Sequence, residues 1–236
     1  MEALKYRHEE KYMINKRDYF VLKKRLSTVL DHDPHASDGG EYNVRSLYFD
    51  DMANSALHEK LAGVSDRKKY RIRIYDNSAH HIYLEKKIKK KDYVAKRRQE
   101  ISREDYDNIM ARNTGEIFSS GKSLLRELAL QMITKNLKPV VIVDYMREPF
   151  TCDTANVRIT FDKSLKTALN KTKLLDSNLP MIEAVVSDCL ILEVKYDGFL
   201  PGHIKAMIQL EGRYRRAISK YTLCRKYTKK NSWEDQ

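Results

Sequence analysis

The chain has 236 residues, and 45 Lys and Arg against 33 Asp and Glu give it a formal charge of +12. A hydrophobic fraction of 42% is enough for a core, and the scarcity of Gly (8) and Pro (5) excludes collagen-like, linker-rich and disordered chains. No apolar run approaches the roughly 20 residues of a membrane span, and the charged N-terminus is no signal peptide, so a cytoplasmic protein is expected. Cys152, Cys189 and Cys224 form neither a CxxC pair nor an even disulfide set, which fits a reducing compartment. Without an internal repeat or a Ser/Gly linker, residues 1–236 read as a single domain whose last ~10 residues are a polar tail.

In chain order, a strand pattern over 4–14 leads into an amphipathic helix from Lys16 to Leu30, carried by Phe20, Leu22, Leu26, Val29 and Leu30. A second strand, 41–50, ends in the turn residues Asp50 and Asp51, which fit a structural cap before a short helix from Asn54 to Leu61. Three strands follow at 68–76, 80–89 and 93–101, then a helix from Ser102 to Arg112 with Ser102 as cap and Asp105 at its third position. A helix from Ser123 to Lys135 precedes strands at 138–148 and 154–162. Residues 163–187 have no clear period and read as loop. A last strand, 189–197, and a helix from Pro201 to Leu210 complete the pattern.

The two faces of these strands differ systematically. Lys69, Arg71, Arg73 and Tyr75 alternate with Tyr70, Ile72 and Ile74, and the same alternation sets Arg7, Glu9 and Lys11 on one face of the first strand. Tyr145 and Arg147 share a face, as do Tyr83, Glu85, Lys87 and Lys89, then Arg158, Thr160 and Asp162, and Glu193 and Lys195. In the charged hairpin, Lys87, Lys96 and Arg98 have inward parity, whereas Lys86, Lys90, Lys91 and Arg97 are expected at a solvated tip. A solvated sheet face usually mixes neutral polar residues with both charge signs; here Arg and Lys recur strand after strand. Eight antiparallel strands with apolar residues outward and charged residues inward would close into an α+β fold: a β-barrel with a wet cationic lumen and helices packed outside. Two like charges 4 Å apart cost about 4 kcal/mol at an effective dielectric near 20, so such a lumen calls for an anion. Adjacent phosphates suit it, because Arg forks bind their oxygens in pairs and Lys adds point charges. The interspersed Glu residues make sense if a divalent metal bridges carboxylate and phosphate.

These residues carry a resemblance. Arg7-x-Glu9-x-Lys11, the SLYFD run at 46–50, Arg71-x-Arg73, Glu85-x-Lys87 with Lys96-Arg-Arg, Tyr145-x-Arg147, Arg158, Glu193-x-Lys195 and Ser219-Lys220-Tyr221 come in the order seen in the VTC domain. That domain is the polyphosphate polymerase domain of the vacuolar transporter chaperone, within the triphosphate tunnel metalloenzyme superfamily, and the likeness runs from about residue 5 to residue 222. The resemblance implies an eight-stranded antiparallel tunnel that takes ATP or polyphosphate with Mn2+ or Mg2+ and transfers the γ-phosphate onto a growing chain. Carried over by position, Arg71, Arg73, Lys87 and Lys220 are the catalytic cations. Arg7, Lys11, Lys96, Arg98, Tyr145, Arg147, Arg158 and Lys195 bind phosphates, and Glu193 with Glu9 holds the metal. Where the cyclase and thiamine triphosphatase branch opens with Glu-x-Glu-x-Lys, this chain has Arg7, which favours the VTC-like branch. The alternatives are water as acceptor, giving a triphosphatase, or a non-catalytic polyphosphate-binding module. Nucleic acid is not expected, because Glu9, Glu85 and Glu193 lie in register with the cations. The membrane segments and regulatory domain of eukaryotic members do not occur in this stretch, so coupling to translocation is not inferred.

Overall fold

A computed structural model describes residues 4–33, 39–169, 171–185 and 188–227; the expected polar tail, with Trp233, lies outside the described residues, as do His35 and Ser187. The barrel strands are β1 (Arg7–Asn15), β3 (Tyr42–Asp50), β4 (Arg67–Tyr75), β5 (Ser78–Lys90), β6 (Tyr93–Ile101), β7 (Lys138–Cys152), β8 (Val157–Ala168) and β10 (Cys189–Tyr196), with β2 (Asp31–His32) and β9 (Met181–Glu183) as short additions. They pair in the order β7-β3-β4-β5-β6-β1-β10-β8, and β8 returns to β7, which closes an eight-stranded antiparallel barrel. Every strand expected from period-2 alternation is present.

Helices cover the outside of this barrel. One core joins outward residues of β3, β4 and β5, such as Leu47, Ile72 and Leu84, to α3 (Arg103–Ala111), α4 (Thr114–Ser119) and α5 (Ser123–Thr134). Another joins Phe150, Ile159, Phe161, Leu192 and Val194 to α1 (Lys16–Leu26) and α6 (Gly202–Ile208). Both α1 and α3 open with reciprocal capping boxes, Asn15 with Asp18 and Ser102 with Asp105. Asp50 at the end of β3 accepts backbone N–H bonds from Ala56 and Leu57 and so caps α2 (Ser55–Leu61), the structural use expected of it. Among the described residues no helix is long and apolar enough to cross a membrane.

Three features depart from the sequence expectation. Residues 163–168 are strand rather than loop: Ser164 takes a left-handed backbone (φ 50°), and this kink breaks the alternation that would have marked the end of β8. Beyond it, Leu174 and Leu179 bury against the outer core although their segment has no regular structure. Lys86 and Arg97 do not reach a solvated tip; they face outward beneath α5, where both ion-pair with Glu127. Finally α7 (Lys220–Arg225), capped by Ser219, enters the barrel interior, where Tyr221 and Cys224 pack on Val44, Val143 and Ile191. Leu128 of α5 is wholly buried, whereas Leu130 on the same helix is 49% exposed. Leu128→Ala should therefore cost about 2–5 kcal/mol of unfolding free energy and Leu130→Ala well under about 1 kcal/mol, read from urea unfolding midpoints.

Candidate functional site

The barrel's interior is built by strand parity. Arg67, Lys69, Arg71, Arg73 and Tyr75 point inward from β4, and β5, β1, β10 and β7 contribute Lys87 and Lys89; Arg7, Glu9 and Lys11; Glu193 and Lys195; and Tyr145 and Arg147. They surround a cavity of about 700 Å3 whose wall holds seventeen Lys and Arg side chains against three carboxylates, Glu9, Asp92 and Glu193. Further carboxylates, Glu85 and Asp162, lie just behind that wall.

Three clusters hold these charges. Fully buried Glu85 accepts from Arg71 (2.6 and 2.7 Å) and Lys96 (2.9 Å), with Arg73 at 3.7 Å. Arg71 also donates to the Tyr48 hydroxyl at 2.7 Å, and Arg73 to the Ser46 hydroxyl at 3.0 Å. In the second cluster the Lys11 ammonium lies 3.3 Å from Glu9 and 3.0 Å from Glu193, while Lys87 binds Glu9 at 2.7 Å and Lys195 binds Glu193. The third is a two-bond fork from Arg147 to Asp162 (2.7 and 2.8 Å), to which Lys220 of α7 adds an ion pair. Lys220 also lies 4.0 Å from Glu193 and 4.8 Å from the Tyr145 ring centroid, so it joins the second and third clusters. Arg158 binds Asp33 (2.7 Å) and the Tyr42 hydroxyl (2.9 Å).

The family model of the VTC domain matches residues 6–229. This chain belongs to the VTC domain family. No curated protein sequence matches it. A candidate adenylate cyclase from Bacillus halodurans shares its fold, with a TM-score of 0.50, 14% identity and 88% of each chain covered. A candidate adenylyl cyclase from Hippeastrum with a dominant triphosphatase activity aligns at a TM-score of 0.49 and 13% identity, over 87% of this chain and 84% of its own.

Of the sequence-derived residues, this VTC domain brings Arg7, Glu9, Lys11, Arg71, Arg73, Lys87, Lys96, Tyr145, Arg147, Arg158, Glu193, Lys195 and Lys220 to one cavity. Arg7 is already engaged by Asp197 at 2.8 Å. Arg98 has inward parity but is exposed, and it lies on the Tyr83 ring rather than in the cavity wall. Sequence reading assigned no site role to Asp162, Lys60, Arg67, Lys69, Lys89, Arg215 and Arg216. Parity set Asp162, Lys69 and Lys89 on the charged faces of their strands, and it extends to Arg67, two places before Lys69. Arg215 and Arg216 come from an irregular segment and carry no periodic signal.

Burial alone would raise the Glu9, Glu85 and Glu193 carboxyls, but the neighbouring Lys and Arg charges outweigh it and hold all three well below the usual carboxylate range. The cations are not equally compensated. Among the described residues Lys60, Arg67, Lys69 and Lys89 have no carboxylate at ion-pair distance; burial lowers the pKa of each, and repulsion from neighbouring cations adds to it for Lys60, Lys69 and Lys89. Lys69 comes down to about 7 and Lys87 to about 8, in both cases through burial first.

Whether the site suits a divalent metal can be read from its donors. Glu9 and Glu193 flank one cation, Lys11, and both are ionised. Among the described residues no third His, Cys, Asp or Glu gathers with them to complete a protein-only metal cage. Two carboxylate arms with the remaining ligands from phosphate and water is the set that Mg2+ or Mn2+ takes on phosphate substrates, so the residues fit such an ion.

The lowered lysines set a pH dependence with a definite sign. Between about pH 7 and 10 the unfolded chain holds protons that folded Lys69 and Lys87 have lost, so stability rises with pH across that window. The ligand-free protein should show a higher urea midpoint at pH 9 than at pH 7, with a smaller difference in Lys69→Met. A midpoint that falls between these pH values would contradict the assignment.

Proposed function

We propose that this VTC domain binds the triphosphate of ATP in its tunnel and transfers the γ-phosphoryl group to the end of an inorganic polyphosphate chain. One observation carries the reading: seventeen cationic side chains, most of them from the strands of a closed barrel and five with no carboxylate at ion-pair distance among the described residues, line one cavity of about 700 Å3. A row of adjacent phosphates neutralises such a wall with the fewest atoms.

In the transfer, a terminal oxygen of the acceptor phosphate bonds to the γ-phosphorus, the bond to the β,γ-bridging oxygen breaks, and ADP leaves with that electron pair. The acceptor oxygen is already ionised, so no proton has to be removed. Arg71, Arg73, Lys87 and Lys220 surround the charge that spreads over the transferring group. Lys11, Lys96, Arg147, Arg158, Lys195 and the Tyr145 hydroxyl position the phosphates on either side, and Arg7 does so at the entrance. A Mg2+ or Mn2+ ion held by Glu193 and Glu9 would neutralise phosphate charge when bound. The lowered pKa values of these carboxylates favour a phosphate acceptor over water, because a carboxylate held so far below neutrality is a weak general base.

Incubation with ATP and Mn2+ should yield long-chain polyphosphate and ADP in matched amounts. Arg71→Ala should slow this about 10²–10³-fold, the cost of removing one charge-stabilising partner, and Glu193→Gln should abolish the chain product. Orthophosphate without chains would convert the reading to a triphosphatase, and full activity in Glu193→Gln would remove the metal assignment.

A further inference from the structure

The two ends of the tunnel differ in chemistry. On β4 the inward residues run from Arg67 and Lys69 to Arg73 and Tyr75, over about 26 Å at strand rise. The Arg67 end, with Lys60 and Lys89, offers cations, and the ring beneath Lys69, that of Tyr221, is 2% exposed and has no free face. The Tyr75 end offers rings. Tyr42 meets Tyr75 edge-on at 5.7 Å, Tyr75 meets Tyr83 at 6.1 Å, and Tyr83 is parallel to His81 at 6.2 Å. The guanidinium carbon of Arg98 lies 3.4 Å from the Tyr83 ring centroid and 5.8 Å from that of Tyr75.

Arg98 is exposed, and no carboxylate among the described residues lies at ion-pair distance from it. Tyr75, Tyr83 and Arg98 are each the next inward-parity residue on their strand after Arg73, Glu85 and Lys96, the first charge cluster of the tunnel. A planar cation and two aromatic rings thus stand one side-chain step beyond a phosphate-binding set. Bases stack on aromatic rings and on guanidinium planes, whereas an inorganic phosphate chain makes no use of either.

We infer that Tyr75, Tyr83 and Arg98 form a stacking platform for the nucleobase of a nucleoside triphosphate whose phosphates occupy the tunnel. The inference rests on the phosphate-binding reading above, and it makes Arg98 a base contact rather than a phosphate ligand. Stacking is tolerant of base identity, so the platform selects nucleotides over inorganic triphosphate and discriminates little among bases.

The test compares ATP with inorganic tripolyphosphate by calorimetric titration of the whole chain with Mg2+. Tyr83→Leu and Arg98→Gln should each lower the ratio of ATP to tripolyphosphate affinity about tenfold, within the range of one lost stack. Tyr83→Phe should keep the ratio, and Arg98→Lys, which keeps the charge but not the plane, should behave like Arg98→Gln. The fluorescence of 2-aminopurine riboside triphosphate should be quenched on binding to the wild-type protein and not to Tyr83→Leu. An unchanged ratio in Tyr83→Leu, or Arg98→Lys matching the wild type, would overturn the platform. Failure of the wild-type protein to bind tripolyphosphate would instead overturn the phosphate-binding reading.

Discussion

Repulsion among cations crowded into one barrel is the constraint on which this molecule turns. At 4 Å and an effective dielectric near 20, each uncompensated pair costs about 4 kcal/mol, so the interior would not close without its four buried carboxylates. Glu85, Glu193 and Asp162 are almost wholly buried, and Glu9 completes the set. Each is shared among two or three cations instead of being matched to one. Sharing leaves the lumen net positive while keeping every carboxylate ionised. The fold is therefore tolerated without ligand yet retains an excess of positive charge that an anion would neutralise.

That arrangement depends on the outside of the barrel as much as on its inside. Charged residues can face inward on every strand only because the alternate residues, such as Ile72, Leu84, Ile159 and Leu192, are covered by two separate layers of helices. The lumen is further shaped by α7, whose Tyr221 and Cys224 fill apolar positions inside the barrel and whose Lys220 reaches two of the carboxylates at once. Lys220 is far from the barrel strands in sequence, and only the insertion of this short helix makes it part of the site.

Much of the fold was legible because a β-strand's side chains alternate strictly. The eight barrel strands, the inward cations on β4 and the Glu193-x-Lys195 pair all follow from period 2, and the order of these short motifs pointed to the VTC domain. Parity failed where the backbone departs from it, at Ser164, where a left-handed residue hides the end of β8. It was also ambiguous where an outward charge is paired by a helix, as with Lys86 and Arg97 on Glu127 of α5. Parity likewise placed Arg98 inward, but one inward position beyond Lys96 it is exposed and lies on Tyr83 rather than in the cavity wall.

What the sequence determined by itself was which residue types share a face, since alternation is a local property of the chain. Which carboxylate answers which cation was decided only by the tertiary structure. Glu9 meets Lys87, Lys11 meets Glu193 and Asp162 meets Lys220 across strands and an inserted helix far apart in sequence. The same holds for the uncompensated set at Lys60, Arg67, Lys69, Lys89 and Arg216, because whether a charge has a partner depends on distances that only the folded chain fixes.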